Sequence, residues 1–343
     1  MSSRLEDVLR LDLEAKATGL SQALREAVLQ RLRRRGLVVA VSGGIDSACV
    51  AALGVRALGP ERVFALLLPE RDSSPESLTY GKALCEKLGI SYQVKDIAPI
   101  LEAAGCYQAR NAAVREVVPE FEPDMPWKIV LASDPLSSEA LHFFRLVVRH
   151  GEGDERHYRL PPHAYMEIVA ATNFKQRTRK MLEYHHADRL NYAVGGTPNR
   201  LEHDQGFFVK LGDGAADVKP IAGLYKTQVY ALARHLGVIE EILRREPTTD
   251  TYSLGQTQQD FYYSLHHSRL DLILWAKNHD RSAEEVAAEL GYTPDQVRRV
   301  YDDIDQKRRA TAYLHALPLL LEPVDEPSPV APFAAQPGIR SRT

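Results

Sequence analysis

The chain has 343 residues, of which 44% are hydrophobic and 26% are charged. These are ordinary values for a globular protein, and they exclude collagen-like, coiled-coil and fully disordered classes. A chain of this length forms one large domain or two modest ones. Its 43 Lys and Arg residues against 46 Asp and Glu residues give a net charge of −3. This balance alone does not exclude a nucleic-acid partner, because a basic patch could exist, but no such patch stands out and we expect no such partner. The densest basic run, at 31–35, fits the solvated end of a helix.

The cysteines and the N-terminal residues predict the cellular compartment of the protein. Three cysteines without a CxxC spacing are too few for a disulfide scaffold and indicate a reducing compartment. The charged N-terminus lacks the apolar core of a signal peptide, and no stretch approaches the ~20 apolar residues that span a bilayer. We therefore expect a cytoplasmic protein without a membrane partner.

The first part of the chain alternates helical and extended patterns. Apolar residues at helical spacing over 4–35 predict one or two opening helices, which end at Gly36. Leu37–Val41 is an apolar run without polar alternation, typical of a strand buried on both faces of a parallel sheet. The pattern continues with a helix, a strand, a helix and a strand, predicted at 46–58, 63–68, 75–88 and 91–94.

Strands that alternate with helices predict an α/β fold with a doubly wound, mostly parallel sheet. A further strand, Asn191–Val194, follows a helix predicted at about 164–190. Between the third strand and that helix lies an insertion at 119–162. It is predicted to contain a strand and a β-hairpin with a glycine-containing turn, at 128–131, 142–149 and 155–160.

The rest of the chain is predicted to be mainly helical over 225–315, with helices at Lys226–Leu236, Ala283–Leu290 and 295–314. Residues 323–343 form a proline-rich, acidic and alanine-rich tail, for which we predict disorder. We therefore expect a single domain over 1–322, followed by this tail.

The first chemical signal is Ser42-Gly43-Gly44-Ile45-Asp46-Ser47, which follows the first buried strand and opens a helix. Glycines let the backbone approach an oxyanion, and free N–H groups with the helix dipole favour negative charge. A carboxylate such as Asp46 repels phosphate unless Mg²⁺ lies between them. The segment lacks the ending of a Walker A loop. It predicts a phosphate site, with a ligand-free glycine turn as the alternative.

The pattern SGGxDS after a strand resembles the PP-loop of N-type ATP pyrophosphatases, which include NAD, GMP, asparagine and argininosuccinate synthetases and tRNA-thiolating enzymes. A longer match narrows this resemblance. Phe207–Asp217, with Lys219-Pro220-Ile221 and Leu224-Tyr225-Lys226, is similar to the FxKxGDGxxDxxPxxxLYK run of ammonia-dependent NAD synthetases. Further matches follow in the family's order, at 173–179, Gly196–Glu202, Pro247-Thr248 and Gln306–Arg308. The resemblance spans roughly 20–315, without the insertion.

The resemblance implies an adenine-nucleotide α-hydrolase-like fold and a homodimer. It implies that ATP adenylates the carboxylate of deamido-NAD, that ammonia displaces AMP, and that pyrophosphate is also released. It implies Mg²⁺ bound by Asp46 and Glu202, and catalytic parts for Asp46, Lys226 and Lys307. The implied ATP-binding residues are Ser42, Gly43, Gly44, Asp46, Ser47, Thr197, Lys226 and Thr248. The implied deamido-NAD residues are Arg177, Lys210, Asp217, Gln306 and Lys307.

The chemistry of these residues agrees with that implication. Adenylation brings a polyanionic nucleotide and a carboxylate together, so cations must offset their repulsion. Lys210, Lys226 and Lys307 are candidate cations, and Gly212 and Gly214 would let their loop pass close to a ligand. Each residue also has an ordinary interpretation as a solvated charge or a turn residue. Their order along the chain favours the functional interpretation.

Three departures from the family pattern keep a second function open. Gln306 replaces a histidine, the segment between 197 and 202 reads TPNRLE, and the insertion is additional. The alternative is a related ligase that amidates a different carboxylate. No glutaminase segment is visible, so the nitrogen would come from free ammonia or a separate glutaminase partner.

Other classes fit less well. Sulfur transfer to tRNA needs a reactive cysteine, whereas Cys49 and Cys85 fall on predicted buried helix faces. A catalytically dead nucleotide-binding regulator would be expected to lack Asp46 or Glu202. The adjacent histidines at 185–186 and 266–267 have no partner motif for zinc, so no zinc site is expected.

Overall fold

This computed structural model describes residues 5–131, 144–151, 153–248, 251–263, 265–319 and 321–322. Its strands are β1 (Leu37–Ala40), β2 (Val63–Leu67), β3 (Ser91–Val94), β4 (Trp127–Leu131), β5 (Phe144–His150), β6 (Asp154–Arg159) and β7 (Ala193–Gly195). The main sheet is parallel, in the order β3-β2-β1-β7, and a second sheet is antiparallel, in the order β4-β5-β6. The predicted α/β fold with a mostly parallel sheet and a hairpin insertion is confirmed.

Helices cover both faces of the main sheet and form most of the C-terminal part. The first six are α1 (Leu13–Glu26), α2 (Ile45–Leu58), α3 (Pro75–Leu88), α4 (Ala98–Ala103), α5 (Cys106–Arg115) and α6 (Pro162–Leu190). The next are α7 (Arg200–Gln205), α8 (Lys226–His235), α9 (Glu240–Arg244), α10 (His267–Asn278), α11 (Ala283–Leu290) and α12 (Pro294–His315). Within the described ranges, no helix has the length and apolar character to cross a membrane.

The central position of β1 determines where a ligand can bind. Leu37, Val38 and Val39 are fully buried, because β1 pairs in parallel with β2 on one side and β7 on the other. The chain runs from β1 through β2 to β3 and then returns to the other side of β1. The carboxyl ends of β1 and β7 therefore flank a topological switch point, where open α/β sheets bind their ligands.

Local signals at both ends explain the bounds of α3, which agree with the sequence prediction. Ser74 is the N-cap, and its Oγ accepts a hydrogen bond from the backbone N–H of Glu76 at 3.2 Å. Pro75 occupies the first turn, where its missing N–H costs nothing. Gly89 ends the helix in the left-handed region, with φ +65°.

The insertion forms a small sheet with its own apolar cluster. Leu146 of β5 faces Tyr158 of β6, as expected for the predicted antiparallel hairpin. Trp127 and Phe121 pack beneath the sheet against Ile168 of α6. The insertion is thus seated on α6, the helix that leads into β7.

The structure differs from the prediction in the opening and middle segments. The opening helix ends before Gly36, because α1 passes into a π-helical turn at Ala27–Arg31 and Arg33 adopts a positive φ of 53°. The short helices α4 and α5 were not predicted, since Gly105, at φ 74°, separates two segments too short for a clear period. The predicted tail lies outside the described residues.

Candidate active site

The loop between β1 and α2 presents a helix N-terminus at the switch point. The backbone N–H of Ser42 donates to Ser47 Oγ at 3.2 Å, and that hydroxyl donates to the carbonyl of Gly44 at 3.0 Å. Gly43 has φ +74°, and a Cβ at this position would lie 2.4 Å from the carbonyl oxygen of Ser77. The tight loop directs the first N–H groups of α2 outward, where the helix dipole favours an anion.

A cavity of about 530 Å³ opens at this edge of the sheet. It is lined by the β1–α2 loop, α6, the start of α8, and parts of the segments 195–213 and 245–262. The sequence-predicted residues that line it are Ser42, Gly44, Asp46, Ser47, Arg177, Thr197, Glu202, Lys210, Lys226 and Thr248. One cavity therefore gathers residues from both halves of the chain.

Asp46 is held by two side chains that are distant in sequence. Asn199 Nδ2 donates to Asp46 Oδ1 at 3.0 Å, and Lys226 Nζ donates to Oδ2. Lys226 is 1% exposed. Burial lowers the pKa of Lys226, but the carboxylates of Asp46 and Glu202 outweigh burial and raise that pKa to about 12. Lys226 is therefore a fixed cation at neutral pH.

Glu202, in α7, is the second carboxylate of the cluster. Its Oε2 accepts the backbone N–H of Asn199 at 3.1 Å, and its Oε1 accepts Gln258 Nε2 at 3.0 Å. Burial and the charge of Asp46 raise the pKa of Glu202 to about 7, although Lys226 acts in the opposite direction. Two carboxylates thus share one buried ammonium group, and the cluster is short of positive charge.

Several residues that line or support the site were missed by the sequence prediction. Asn199 caps α7 by accepting the backbone N–H of Leu201 at 2.9 Å, and its Asn-x-x-Glu spacing was a readable capping signal. Arg245 donates to Ser77 Oγ at 2.9 Å and lines the cavity beside the glycine loop. Gln258 had no signal in the sequence.

Asp271 fixes the start of α8 and therefore Lys226. Its two carboxylate oxygens accept the backbone N–H groups of Lys226 at 3.2 Å and Thr227 at 2.7 Å. Burial raises the pKa of Asp271 to about 6. This buried carboxylate was also not predicted, because it caps a helix from which it is separated by more than forty residues.

Arg177 and Lys210 add positive charge on another side of the cavity. Arg177 Nε donates to the carbonyl of Lys210 at 3.2 Å. Lys210 Nζ donates to the carbonyls of Tyr313 at 2.7 Å and Ala316 at 3.2 Å, at the end of α12. Carbonyl oxygens leave the charge of a cation uncompensated, so these two groups can attract an anion.

The other predicted residues lie outside the lining. Gly43 shapes the loop behind its lining residues. Asp217 Oδ2 accepts the backbone N–H of Val194 at 2.7 Å, which ties its segment to β7. Lys307 is held by the carbonyl of Tyr262 at 2.6 Å and by Asp303 at 2.8 Å, and burial lowers its pKa. Gln306 is exposed on α12.

Cys49 and Cys85 lie on buried helix faces, as their helical spacing predicted. Cys49, Cys85 and Cys106 are all buried. Burial raises the pKa of each thiol above its usual range. Because the thiolate is the nucleophile, these cysteines lack the character that sulfur transfer needs.

The class of protein follows from where these groups meet. A helix N-terminus at the switch point of a parallel sheet binds phosphate groups, and uncompensated cations in the same cavity suit a polyanion. The chain is a nucleotide-binding α/β enzyme.

Comparison with known proteins supports this class and identifies the family within it. The NAD synthase family model matches residues 17–119 and 156–311. The NH₃-dependent NAD⁺ synthetase of Rhizobium meliloti (strain 1021) is 56% identical over 322 residues, which cover 93% of this chain and 95% of that protein. The enzyme with the same name from Rhizobium rhizogenes (strain K84) is 51% identical and covers 94% and 97%. The chain belongs to the NAD synthase family and is an ATP-dependent amide-forming ligase.

A solved structure shows the same fold. The NH₃-dependent NAD synthetase from Campylobacter jejuni superposes with a TM-score of 0.59 at 24% identity, covering 91% of this chain and 100% of that chain. The two segments matched by the family model leave residues 120–155 between them, and these include β4, β5 and the start of β6.

Proposed function

We propose that this chain synthesises NAD⁺ from deamido-NAD⁺, ATP and ammonia, with release of AMP and pyrophosphate. The observation that carries the proposal is the cluster of Asp46, Lys226 and Glu202, which lines the same cavity as the β1–α2 loop and as Arg177 and Lys210. The cavity thus offers phosphate-binding N–H groups and cations side by side. The relatives named NH₃-dependent NAD⁺ synthetases support the proposal.

In the first step, a carboxylate oxygen of deamido-NAD⁺ would attack the α-phosphorus of ATP, and the bond to the β-phosphate oxygen would break to release pyrophosphate. The product is an acyl-adenylate. Negative charge builds up on the leaving pyrophosphate, so fixed cations and N–H groups stabilise the transition state. We assign this work to the β1–α2 loop and Lys226, and we assign contacts with ATP to Thr197 and Thr248.

In the second step, ammonia would attack the acyl carbon, lose a proton to solvent, and displace AMP. Ammonia is a good nucleophile once ammonium has lost its proton, so the protein contributes mainly by holding the adenylate and excluding water. The nitrogen would come from free ammonia or from a separate glutaminase. No cysteine nucleophile is needed for this chemistry.

We further propose that Asp46 and Glu202 hold Mg²⁺ together with ATP. The fit rests on two partly buried carboxylates that have one ammonium group between them: Lys226 pairs with Asp46 and acts on Glu202 only through its charge, so an additional cation is favoured. Mg²⁺ in nucleotide enzymes is bound by one or two carboxylates with phosphate oxygens and water, and this donor set suffices. The ion would offset the charge of the phosphates when bound.

For the dinucleotide we propose contacts with Arg177 and Lys210, which line the cavity and have carbonyl rather than carboxylate partners. Lys307 would act through Tyr262, whose carbonyl it holds and whose ring lies 4.7 Å from its Nζ. Asp217 would act by fixing its segment against β7. These are positioning roles, since neither side chain lines the cavity.

A turnover assay tests the proposal. Purified protein with ATP, Mg²⁺, NH₄Cl and deamido-NAD⁺ is expected to form NAD⁺ and AMP in equal amounts. Lys226→Met is expected to lower kcat by about 10²–10³-fold, the usual loss when one preorganised electrostatic group is removed. Lys87→Met, at an exposed lysine of α3, is the control. Protein that cleaves ATP only with another carboxylate would instead support the alternative ligase.

A further inference from the structure

The first strand of the insertion, β4, pairs with part of segment 251–258, which forms one wall of the cavity. β4 is an edge strand of its sheet. On its outer edge, the N–H of Trp127 donates to Ser253 Oγ at 3.0 Å, and the carbonyl of Trp127 accepts the N–H of Leu254 at 3.1 Å. Two residues further along β4, the carbonyl of Ile129 accepts Gln256 Nε2. The outward-facing groups of alternate strand residues thus find partners in one stretch of chain.

Most side chains at this contact are buried, although Ser253 itself is exposed. Trp127 is 1% exposed, and its ring meets the ring of Tyr252 edge to face at 4.9 Å. Tyr252 itself lines the cavity. Gln256 is 4% exposed, so its hydrogen bond to Ile129 is shielded from water. The buried hydrogen bond from Gln256 is costly to break, because a lost partner leaves a desolvated polar group.

The same stretch of chain continues to the cluster of Asp46, Lys226 and Glu202. The backbone N–H of Gln258 donates to the carbonyl of Pro247 at 3.0 Å, and its side chain donates to Glu202. Thr248, a predicted ATP contact, forms an isolated antiparallel bridge with Thr257. Thr248 and Gln258 therefore take their positions at the site from the neighbouring residues that pair with β4.

A buried ionic network anchors the beginning of this wall. Lys175 Nζ donates to the carbonyl of Thr251 at 2.9 Å, to Glu70 at 2.9 Å and to Asp72 at 2.6 Å. Arg110 binds the same Asp72 carboxylate, and its guanidinium lies 5.5 Å from the ring of Trp127. The wall is thus fixed by α6 at one end and by β4 further along.

We propose that the insertion is a positioning element for the ATP end of the site: the edge of β4 holds segment 252–256, so that Gln258 and Thr248 stay in place against Glu202 and the nucleotide. This rests on the proposed function for the identity of the ligand. Residues 120–155, which include β4 and β5, fall outside the family-model match. Ser253 and Gln256 are positioning residues that nothing in the shared motifs marks.

The test is the double variant Ser253→Ala/Gln256→Leu, which removes two of the partners of β4 without touching the cavity lining. We expect hydrogen exchange at the Leu254 amide to speed up at least about 10-fold, and the Kd of an ATP analogue with a non-cleavable α–β bridge to rise about 10-fold. The KM for ammonia should stay unchanged. Ser253→Thr, which keeps the hydroxyl acceptor, should behave as the wild type.

Arg156→Ala, at the other edge strand of the same sheet, is the matched control and should change neither quantity. If the double variant folds poorly, Ser253→Ala alone gives the same comparison. Faster exchange with an unchanged Kd would overturn the proposal, as would equal weakening by Arg156→Ala. A wild type that binds the analogue but makes no NAD⁺ would refute the proposed function, while both expected changes in the double variant would still support the positioning role.

Discussion

Two partly buried carboxylates, Asp46 and Glu202, line the cavity together with the buried ammonium group of Lys226. Lys226 neutralises one negative charge, so the ligand-free cluster keeps a second charge in a poorly hydrated place. Removing charge from water is costly unless it is fully paired. The residues that make the site ready for a cation therefore also make the empty protein less stable.

Glu202→Gln tests this trade-off through pH. The pKa of Glu202 is raised from 4.5 to about 7, so between these values the folded chain binds a proton more tightly than the unfolded chain. The stability contribution of this group therefore falls as pH rises through that window. At pH 8 we expect the variant to be more stable than the wild type by about 1–3 kcal/mol, and at pH 5 by much less.

Urea unfolding at the two pH values measures the difference, with Glu241→Gln, at an exposed glutamate of α9, as the control. Glu202→Gln is also expected to lose most of its activity. A variant that is less stable than the wild type at pH 8 would show that the cluster is satisfied without a ligand.

At the scale of the element, the β1–α2 loop depends on one glycine more than on its neighbour. Gly43 has φ +74°, and a Cβ there would collide with the carbonyl of Ser77 at the start of α3. Gly44 has φ −95°, and a Cβ there would meet only Ser42 Oγ at 3.4 Å. We expect Gly43→Ala to lower the free energy of unfolding by about 2 kcal/mol or more, from backbone strain and the clash. Gly44→Ala should cost less than about 1 kcal/mol.

Denaturant unfolding of the two alanine variants, side by side, checks the prediction. Equal losses would mean that the loop tolerates or rejects a methyl group without regard to the contact with α3. The pair is informative because both changes lie in the same motif, and only one of the two glycines has a positive φ.

Elements with local signals could be predicted, and those without them could not. The helix α11 runs from Ala283 to Leu290 as predicted, because Ser282 caps it with Glu285 in a capping box and Gly291 closes it at φ 75°. The end of α1 was predicted too late, because no glycine or proline marks its passage into the turn at Ala27–Arg31. Boundaries without such residues depend on tertiary packing.

The site residues likewise divide into those that the sequence could reveal and those that it could not. Asp46 and Lys226 could be identified because each belongs to a motif next to a strand or helix start. The bond between Asn199 and Asp46 joins residues 153 positions apart, and the bond from Gln258 to Glu202 comes from a segment without a motif. Hydrogen-bond partners at such separations are created by the fold, so no local pattern could reveal them.

At the scale of the whole molecule, α6 exposes three large apolar side chains. Met166, Phe174 and Met181 are 63%, 42% and 55% exposed on this helix. Their spacing of eight and seven residues places them on one face. Aligned exposed side chains of this size are typical of an interface, and we propose that two copies of the chain pair through this face as a homodimer.

Sedimentation of the wild type is therefore expected to give twice the 38.4 kDa of the chain, and Met166→Glu/Met181→Glu is expected to give the monomer. Because both methionines are exposed in the single chain, the variant monomer should stay folded, while a charge on each buried side of the interface would oppose pairing. Leu317→Glu, at an apolar residue that is 83% exposed outside α6, is the matched control and should remain dimeric. A monomeric wild type would show that the chain does not dimerise. A double variant that remains dimeric would show that the interface lies on another face.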